Sequence, residues 1–202
     1  MKIFLASTSP RRHQLMAGVG FDFEVIAPDT DEIERKGESP RAMVKRFALE
    51  KADAAMLKIP LGGDGILVAA DTTVISPDGK RVLNKPTSEK QALSILAQIS
   101  GRTHVVLTGY VIVKFKGGRA VRRHSRTVKT SVKMLKIPRA VARAYVASGE
   151  PMDKAGAYGA QGIGMCFIES IKGSYANVIG LPMAELVADL ETEFKVKPKW
   201  KR

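Results

Sequence analysis

The chain has 202 residues, of which 45% are hydrophobic and 26% charged, the proportions of an ordinary globular protein. Its 33 Lys and Arg against 20 Asp and Glu give a net charge of +13, which favours phosphate-bearing partners: nucleic acids, nucleotides or anionic membrane surfaces. One cysteine excludes an intramolecular disulfide, and no apolar run is long enough to span a membrane. We therefore expect a cytoplasmic protein that does not bind membranes.

Residues that often bind transition metals are sparse. Cys166 lies in the apolar sequence Met165-Cys166-Phe167, which favours a small buried hydrophobe over a nucleophile. The three histidines are scattered, without a second ligand at metal-site spacing. The sequence therefore predicts neither a thiol enzyme nor a zinc site.

The first half of the chain is predicted to alternate strands and helices. Ser9-Pro10 and Ser39-Pro40 each place a favoured N-cap residue before a proline, which predicts two helix starts, the first helix ending near residue 18. Met43, Phe47 and Ala48 share one face of the second helix. The predicted strands of this half are residues 2–6, 21–26 and 66–75, the last of them apolar and central.

The second half is predicted to begin with a hairpin through Asp78-Gly79 to residues 80–86. Ser88 and Gln91 predict a capping box at the start of a further helix. The remaining predicted elements are strands near 104–115 and 120–134, a helix near 138–148, a glycine-rich loop, a hairpin of 166–171 with 174–179, and a helix after Pro182. This mixture predicts an α/β or α+β domain with a mixed sheet.

A candidate anion site lies at the start of the first predicted helix. Arg11 and Arg12 occupy its first turn, where the helix dipole disfavours positive charge. Helix N-terminal amides attract anions, so two arginines are favourable there if a negative group binds. Ser7, at the end of the first strand, can donate a hydrogen bond to the same group. The alternative, two solvated surface charges, stays open on this segment alone.

A second candidate is Asp71, within the sequence AADTTV at residues 69–74. Burying a carboxylate in an apolar strand costs several kcal/mol unless it is paired or binds a metal. A carboxylate at a strand end near a phosphate site commonly holds Mg²⁺ or polarises the attacking water. A salt-bridged or turn-capping aspartate is the alternative, and the apolar flanks favour the functional interpretation.

Further candidates are weaker when taken one by one. Lys51 and Lys85 could contact phosphates, although isolated lysines are more often surface residues. Glu32 is a second candidate metal ligand. In the glycine-rich segment 153–162, Tyr158 could stack on a flat ligand, and the amide of Gln161 could read the donor and acceptor pattern of a base.

Together these segments resemble the Maf family of nucleoside triphosphate pyrophosphatases over nearly the whole chain. The matching segments are LASTSPRR, DE at 31–32, EKA at 50–52, AADTTV, NKP at 84–86, SGRTHVVLTG at 100–109, EPMDKAGAYGAQG at 150–162 and GSYANVIGLPM at 173–183. Each is weak alone, but eight in this order are specific. The resemblance implies an α/β fold with an elongated mixed sheet flanked by helices, and two lobes with a central cleft.

The resemblance also implies a reaction and roles for particular residues. The reaction is hydrolysis of a nucleoside triphosphate between its α and β phosphates, giving a monophosphate and pyrophosphate, with a divalent cation, Mg²⁺ or Mn²⁺. Asp71 matches the general base, and Glu32 an acidic residue near the metal, which Asp71 could also bind. The phosphate-binding set matches Ser7, Arg11, Arg12, Lys51 and Lys85.

Base preference follows from a comparison within the family. Thr72 after the aspartate and Gln161 in the glycine loop, with Arg11, resemble the branch that acts on dTTP and UTP. Modified pyrimidine nucleotides are possible further substrates in a house-cleaning role. One departure is Ala160, where a larger aliphatic residue is usual.

Two alternatives stay open at this point. One is a pyrophosphatase of the 7-methyl-GTP branch. The other is a non-enzymatic, basic nucleic-acid-binding protein or cell-division regulator, but only 6% of the residues are aromatic, few for base stacking. We therefore expect a nucleotide substrate and no specific nucleic acid partner, and the sequence leaves a homodimer open. We assign residues 1–194 to one catalytic domain and 195–202 to a mobile basic tail.

Overall fold

The computed structural model describes residues 1–201. Six strands form one mixed sheet, in the order β2-β1-β3-β4-β5-β6. β1 pairs in parallel with β2 and β3, and β6 pairs antiparallel with β5. The strands are β1 (Lys2–Ala6), β2 (Glu24–Val25), β3 (Gly65–Ile75), β4 (Thr103–Lys116), β5 (Arg119–Met134) and β6 (Ile168–Lys172).

Helices flank this sheet, and most begin at the residues that the sequence indicates. Ser9 and Ser39 are the N-cap residues of the first two helices, and the Ser39 hydroxyl accepts the N–H of Ala42 at 3.2 Å. The helices are α1 (Pro10–Gly18), α2 (Pro40–Met56), α3 (Glu89–Ile99), α4 (Arg139–Ala147), α5 (Tyr175–Ile179) and α6 (Met183–Phe194). The predicted α/β class with a mixed sheet flanked by helices is confirmed.

The chain divides into two compact units. The first comprises Met1–Asp71, Thr108–Val128 and Gly180–Arg202, and the second Thr72–Leu107 and Lys129–Ile179. Each has its own apolar core. In the first unit Val111, Val113 and Phe115 of β4 pack with the alanines of α2. In the second, α3 and α4 cover Val106 and Val132.

Three predicted strands differ from the structure. The segment 174–179 contains α5 (Tyr175–Ile179) rather than the second arm of a hairpin, because the Ser174 hydroxyl accepts the N–H of Asn177 at 3.2 Å and caps a helical turn. Residues 80–86 contribute only one bridge, between Ile75 and Val82. The strand predicted at 21–26 is limited to Glu24–Val25.

The turn between β4 and β5 follows its sequence closely. Gly117 and Gly118 have φ of 60° and 77°, the left-handed conformation that a two-residue type I′ hairpin turn requires at both positions. The backbone N–H of Gly117 also donates to the carboxylate of Asp64 at 2.7 Å. The double glycine therefore determines where β4 ends and β5 begins.

Residues 195–201 of the basic segment after α6 form hydrogen bonds within the first unit, and the mobility expected of this segment stays a prediction. Lys195 adopts a left-handed conformation, and the N–H of Val196 bonds to the carbonyl of Leu190. Further along, the N–H of Lys199 donates to Gly20, and the indole of Trp200 donates to the carbonyl of Val19 at 3.0 Å. These hydrogen bonds connect the lysine-rich segment to α6 and to the residues that follow α1.

Candidate active site

The anion site predicted at the start of α1 is built from one turn of chain. β1 ends at Ala6, and the buried Ser7 follows it directly. The Ser7 hydroxyl accepts the N–H of Ser9 at 3.2 Å, which orients the chain into the helix. Ser7 and the first turn of α1 therefore lie side by side, as the sequence predicts.

Arg12 is buried, which the surface-charge alternative does not explain. Only 9% of the residue is exposed. Its Nε donates to the carbonyl of Gly180 at 2.9 Å, and its Nη1 lies 3.4 Å from the Ser7 hydroxyl. Burial lowers the pKa of Arg12, and the charges of Asp71 and Glu32 partly oppose that shift. The guanidinium is thus fixed within electrostatic reach of both carboxylates.

Lys51 joins the two acidic candidates. Lys51 lies on the buried face of α2, and only 8% of the residue is exposed. Its ammonium lies 2.7 Å from Asp71 Oδ1 and 2.5 Å from Glu32 Oε1. Asp71 is buried at the end of the apolar run of β3, whereas about half of the Glu32 side chain is exposed. The structure therefore brings together three residues that are up to 39 positions apart in sequence.

The charges of these side chains determine which ligand the site suits. A buried carboxylate is stable only when it is compensated, and Lys51 supplies that charge for Asp71. Arg11 is also close, because its charge contributes to lowering the pKa of Arg12. The first unit thus concentrates three cations beside two carboxylates and a helix N-terminus, which suits a polyanion and an acid–base group.

Glu32 and Asp71 are the candidate ligands for a divalent cation. Among residues 1–201, no three His, Cys, Asp or Glu residues are grouped so that they could hold a metal ion. Glu32 and Asp71 nevertheless both contact the Lys51 ammonium, so the two carboxylates lie close together. Mg²⁺ is commonly held by one or two carboxylates with waters and substrate phosphates. The donor set fits a divalent cation that arrives with a phosphate ligand.

The other predicted site residues belong to the second unit. Thr72 follows Asp71 in β3 and is partly buried. Lys85 is exposed in the segment between β3 and α3, and Gln161 is exposed in the glycine-rich segment. Their predicted roles in phosphate and base binding stay predictions.

Two side chains lie elsewhere than expected. Tyr158 is buried in the core of the second unit, where its hydroxyl lies 2.8 Å from Nε2 of His104, so its ring is not available for stacking. Cys166 is exposed rather than buried. It lies in a 3₁₀ segment, Gly162–Phe167, where the apolar side chain that turns inward is Phe167.

Sequence reasoning gave no role to several residues that the structure brings into polar networks. Nε2 of His13 lies 2.7 Å from the Ser7 carbonyl oxygen and carries the proton, because that oxygen can only accept. Asp189 binds Tyr110, His124 and Arg126, which connects α6 to the sheet. Only the tertiary structure reveals the contacts of Asp189, since they join residues at least 63 positions apart in the sequence.

Known proteins resemble this chain over most of its length. The family described as Maf-like protein matches residues 2–193. The dTTP/UTP pyrophosphatase of Syntrophus aciditrophicus is 42% identical over 94% of this chain and 89% of its own, and that of Nitratidesulfovibrio vulgaris is 46% identical over 92% and 85%. The solved Ham1 protein of Staphylococcus aureus matches 66% of this chain and 72% of its own at 15% identity, with a TM-score of 0.43.

None of the helices in residues 1–201 has the length and hydropathy needed to cross a membrane.

Proposed function

Because the chain belongs to the family of Maf-like proteins, we propose that it is a nucleoside triphosphate pyrophosphatase acting on dTTP and UTP. The reaction adds water across the bond between the α and β phosphates and releases a nucleoside monophosphate and pyrophosphate. Its relatives with 42–46% identity over most of the chain carry the name dTTP/UTP pyrophosphatase. The observation that carries the proposal is the buried Asp71 paired with Lys51 beside Arg12.

The cations of the first unit bind the triphosphate. Arg11, Arg12 and the N-terminal amides of α1 attract its negative oxygens, and the Ser7 hydroxyl donates a hydrogen bond to one of them. Substrate charge thereby offsets both the dipole penalty on the arginines and the desolvation of Arg12. Because these donors are already in place before substrate arrives, little reorganisation accompanies the reaction.

Asp71 is the residue we assign to proton transfer. Its carboxylate orients a water molecule and accepts a proton as the water oxygen bonds to phosphorus and the bridging P–O bond breaks. Lys51 pairs with that carboxylate and stabilises charge that develops on the phosphoryl oxygens. Glu32 and Asp71 would hold Mg²⁺ or Mn²⁺, which supplies neutralisation of phosphate charge when bound.

The remaining assignments follow the resemblance to the family. Lys85 is assigned to phosphate binding, and Thr72 and Gln161 to base recognition. A glutamine amide carries both a donor and an acceptor, which suits the edge of a pyrimidine. Cleavage of modified pyrimidine nucleotides, and a cytoplasmic house-cleaning role, extend the same proposal.

The test is release of pyrophosphate from a panel of nucleotides with Mg²⁺, with and without a chelator. We expect dTTP and UTP to be cleaved fastest and the chelator to abolish cleavage. Faster cleavage of 7-methyl-GTP would contradict the base preference. Salt-sensitive binding to DNA or RNA without any pyrophosphate release would contradict the enzymatic function itself.

A further inference from the structure

The carboxylate of Glu150 collects hydrogen bonds from the glycine-rich segment of the second unit. Its Oε1 accepts the N–H of Gly164 at 2.9 Å and the hydroxyl of Tyr145 at 2.9 Å. Its Oε2 accepts the N–H of Ile163 at 2.8 Å. Burial alone would raise the pKa of Glu150, but these hydrogen bonds outweigh burial and lower it. Glu150 therefore stays ionised and acts only as an acceptor.

Tyr145 extends this network to the other end of the segment. Its hydroxyl accepts the N–H of Gly159 at 3.2 Å. The ring is 3% exposed and packs edge-on against Phe167, with centroids 5.0 Å apart, so the hydroxyl has little freedom to move. Glu150 and Tyr145 together bond to both ends of residues 159–164.

The glycines of the segment are needed for this close approach. A Cβ at Gly164 would lie 2.7 Å from the Tyr145 hydroxyl and 2.5 Å from the carbonyl oxygen of Gly159. A Cβ at Gly162, whose φ is 74°, would lie 2.6 Å from Oε2 of Glu150. Side chains would therefore push the backbone away from the carboxylate.

Gln161 is carried on the part of the chain that this network holds. The residue itself is exposed, whereas Ala160 before it is buried. The carbonyl oxygen of Ala160 accepts the hydroxyl of Tyr175 at 3.0 Å. With residues 159, 160, 163 and 164 all bonded, the Cα–Cβ direction of Gln161 is fixed although its side chain faces outward.

We propose that Glu150 is a positioning residue that sets the selectivity of the site for uracil and thymine over cytosine. The inference rests on the proposed function, in which Gln161 contacts the base. Uracil presents a donor at N3 and an acceptor at O4, and cytosine presents the reverse pattern. A glutamine on a mobile backbone can present its amide to the base from several directions and satisfy either pattern, whereas a fixed Cα–Cβ direction limits how the amide meets the base edge. Selectivity therefore depends on the carboxylate that holds the backbone.

The experiment compares kcat/KM for UTP and CTP, which have the same size and charge but opposite hydrogen-bonding patterns. Glu150→Gln keeps the size of the side chain and replaces one acceptor oxygen by a donor that cannot bind an N–H. We expect the UTP/CTP ratio to fall about tenfold or more, approaching that of Gln161→Ala, mainly through KM for UTP rather than kcat. The control is Glu169→Gln, which changes an exposed glutamate of the same unit that pairs with Lys133.

A merely structural role would reduce activity on both nucleotides equally and leave the ratio unchanged. A ratio within about twofold of the native ratio in Glu150→Gln would overturn the proposal, as would native enzyme that cleaves UTP and CTP equally well. Native enzyme that cleaves no nucleotide would instead contradict the proposed function.

Amide hydrogen exchange supplies a readout that does not depend on activity. We expect the N–H groups of Ile163 and Gly164 to exchange at least about tenfold faster in Glu150→Gln, while those of β5 stay protected. Unchanged exchange at these two amides would show that Glu150 does not hold the segment, and would overturn the inference even if the proposed function is correct.

Discussion

Asp71→Asn tests the assignment of a single carboxylate. Asparagine keeps the size of the side chain, and its amide oxygen can still accept from Lys51, but it cannot take a proton from water. We expect turnover of dTTP to fall about 100-fold or more while binding of the nucleotide stays nearly unchanged. Steady-state pyrophosphate release and equilibrium binding measure the two effects separately.

The matched control is Asp53→Asn, an exposed aspartate that follows Lys51 by two residues on α2 and pairs with Arg123 at 2.7 Å. Asp53→Asn removes a carboxylate charge outside the candidate site, so we expect this variant to turn over dTTP at the native rate. Native turnover in Asp71→Asn would remove Asp71 from the mechanism.

Lys51→Met tests whether the buried ammonium compensates the two carboxylates. Methionine fills the apolar face of α2 but leaves Asp71 buried without its cation, which should cost about 3 kcal/mol of unfolding free energy. The control is Lys58→Met. The ammonium of Lys58 pairs with the exposed Asp29, so we expect its removal to lower the unfolding free energy by less than about 1 kcal/mol. Urea unfolding at neutral pH measures both, and equal losses would contradict the compensating role.

At the scale of the element, β4 and α2 can pack closely because residue 109 is a glycine and has no side chain. A Cβ at Gly109 would lie 2.6 Å from the carbonyl oxygen of Val44 in α2, too close for either backbone to remain in place. We expect Gly109→Ala to lower the unfolding free energy by about 1–3 kcal/mol. Thermal or urea unfolding measures the loss.

The control for this substitution is Gly18→Ala at the end of α1, where a Cβ meets nothing within 4 Å. Alanine has a higher helix propensity than glycine, so the unfolding free energy of Gly18→Ala should be unchanged or slightly greater than that of the native protein. If both variants had the same stability, close packing of α2 on β4 would not be the reason for glycine at position 109.

The elements that the sequence predicted well are those governed by local chemistry. Ser39 caps α2, and at α3 the Ser88 hydroxyl accepts the N–H of Gln91 at 3.2 Å. The reciprocal half of the capping box differs, because the Gln91 side chain accepts from Thr87 rather than from Ser88. A strand needs a partner as well as a suitable sequence, which is why residues 80–86 form one bridge and not a strand.

At the scale of the whole molecule, a buried histidine makes stability depend on pH. His104 is 1% exposed, and in residues 1–201 its Nδ1 has no hydrogen-bond partner. Burial lowers its pKa from the ordinary 6.5 to about 4. The unfolded chain therefore binds a proton at a higher pH than the folded chain does, and stability falls as the pH drops from about 6.5 towards 4.

Between pH 7 and pH 5 this loss should be about 2 kcal/mol in urea unfolding. His104→Gln cannot titrate in this range but can still bond to the Tyr158 hydroxyl, so the difference between native protein and variant isolates the histidine. A native protein whose stability declines no more steeply than that of the variant would contradict this assignment.

The sequence by itself determined a mixed sheet with helices, most of the helix starts and the two strongest candidates of the site. These depend on periodicity, capping and the cost of an unpaired carboxylate, all of which act over a few residues. Arg12 and Asp71 were recognised because each stands where its charge is unfavourable without a partner.

Only the tertiary structure decided which charges meet. Lys51 pairs with Asp71 and Glu32, and Glu150 holds the segment that carries Gln161, because folding brings together side chains that neither spacing nor composition relates. It also buried Tyr158 and exposed Cys166, since burial depends on the elements that pack around a residue more than on the residue's own hydropathy.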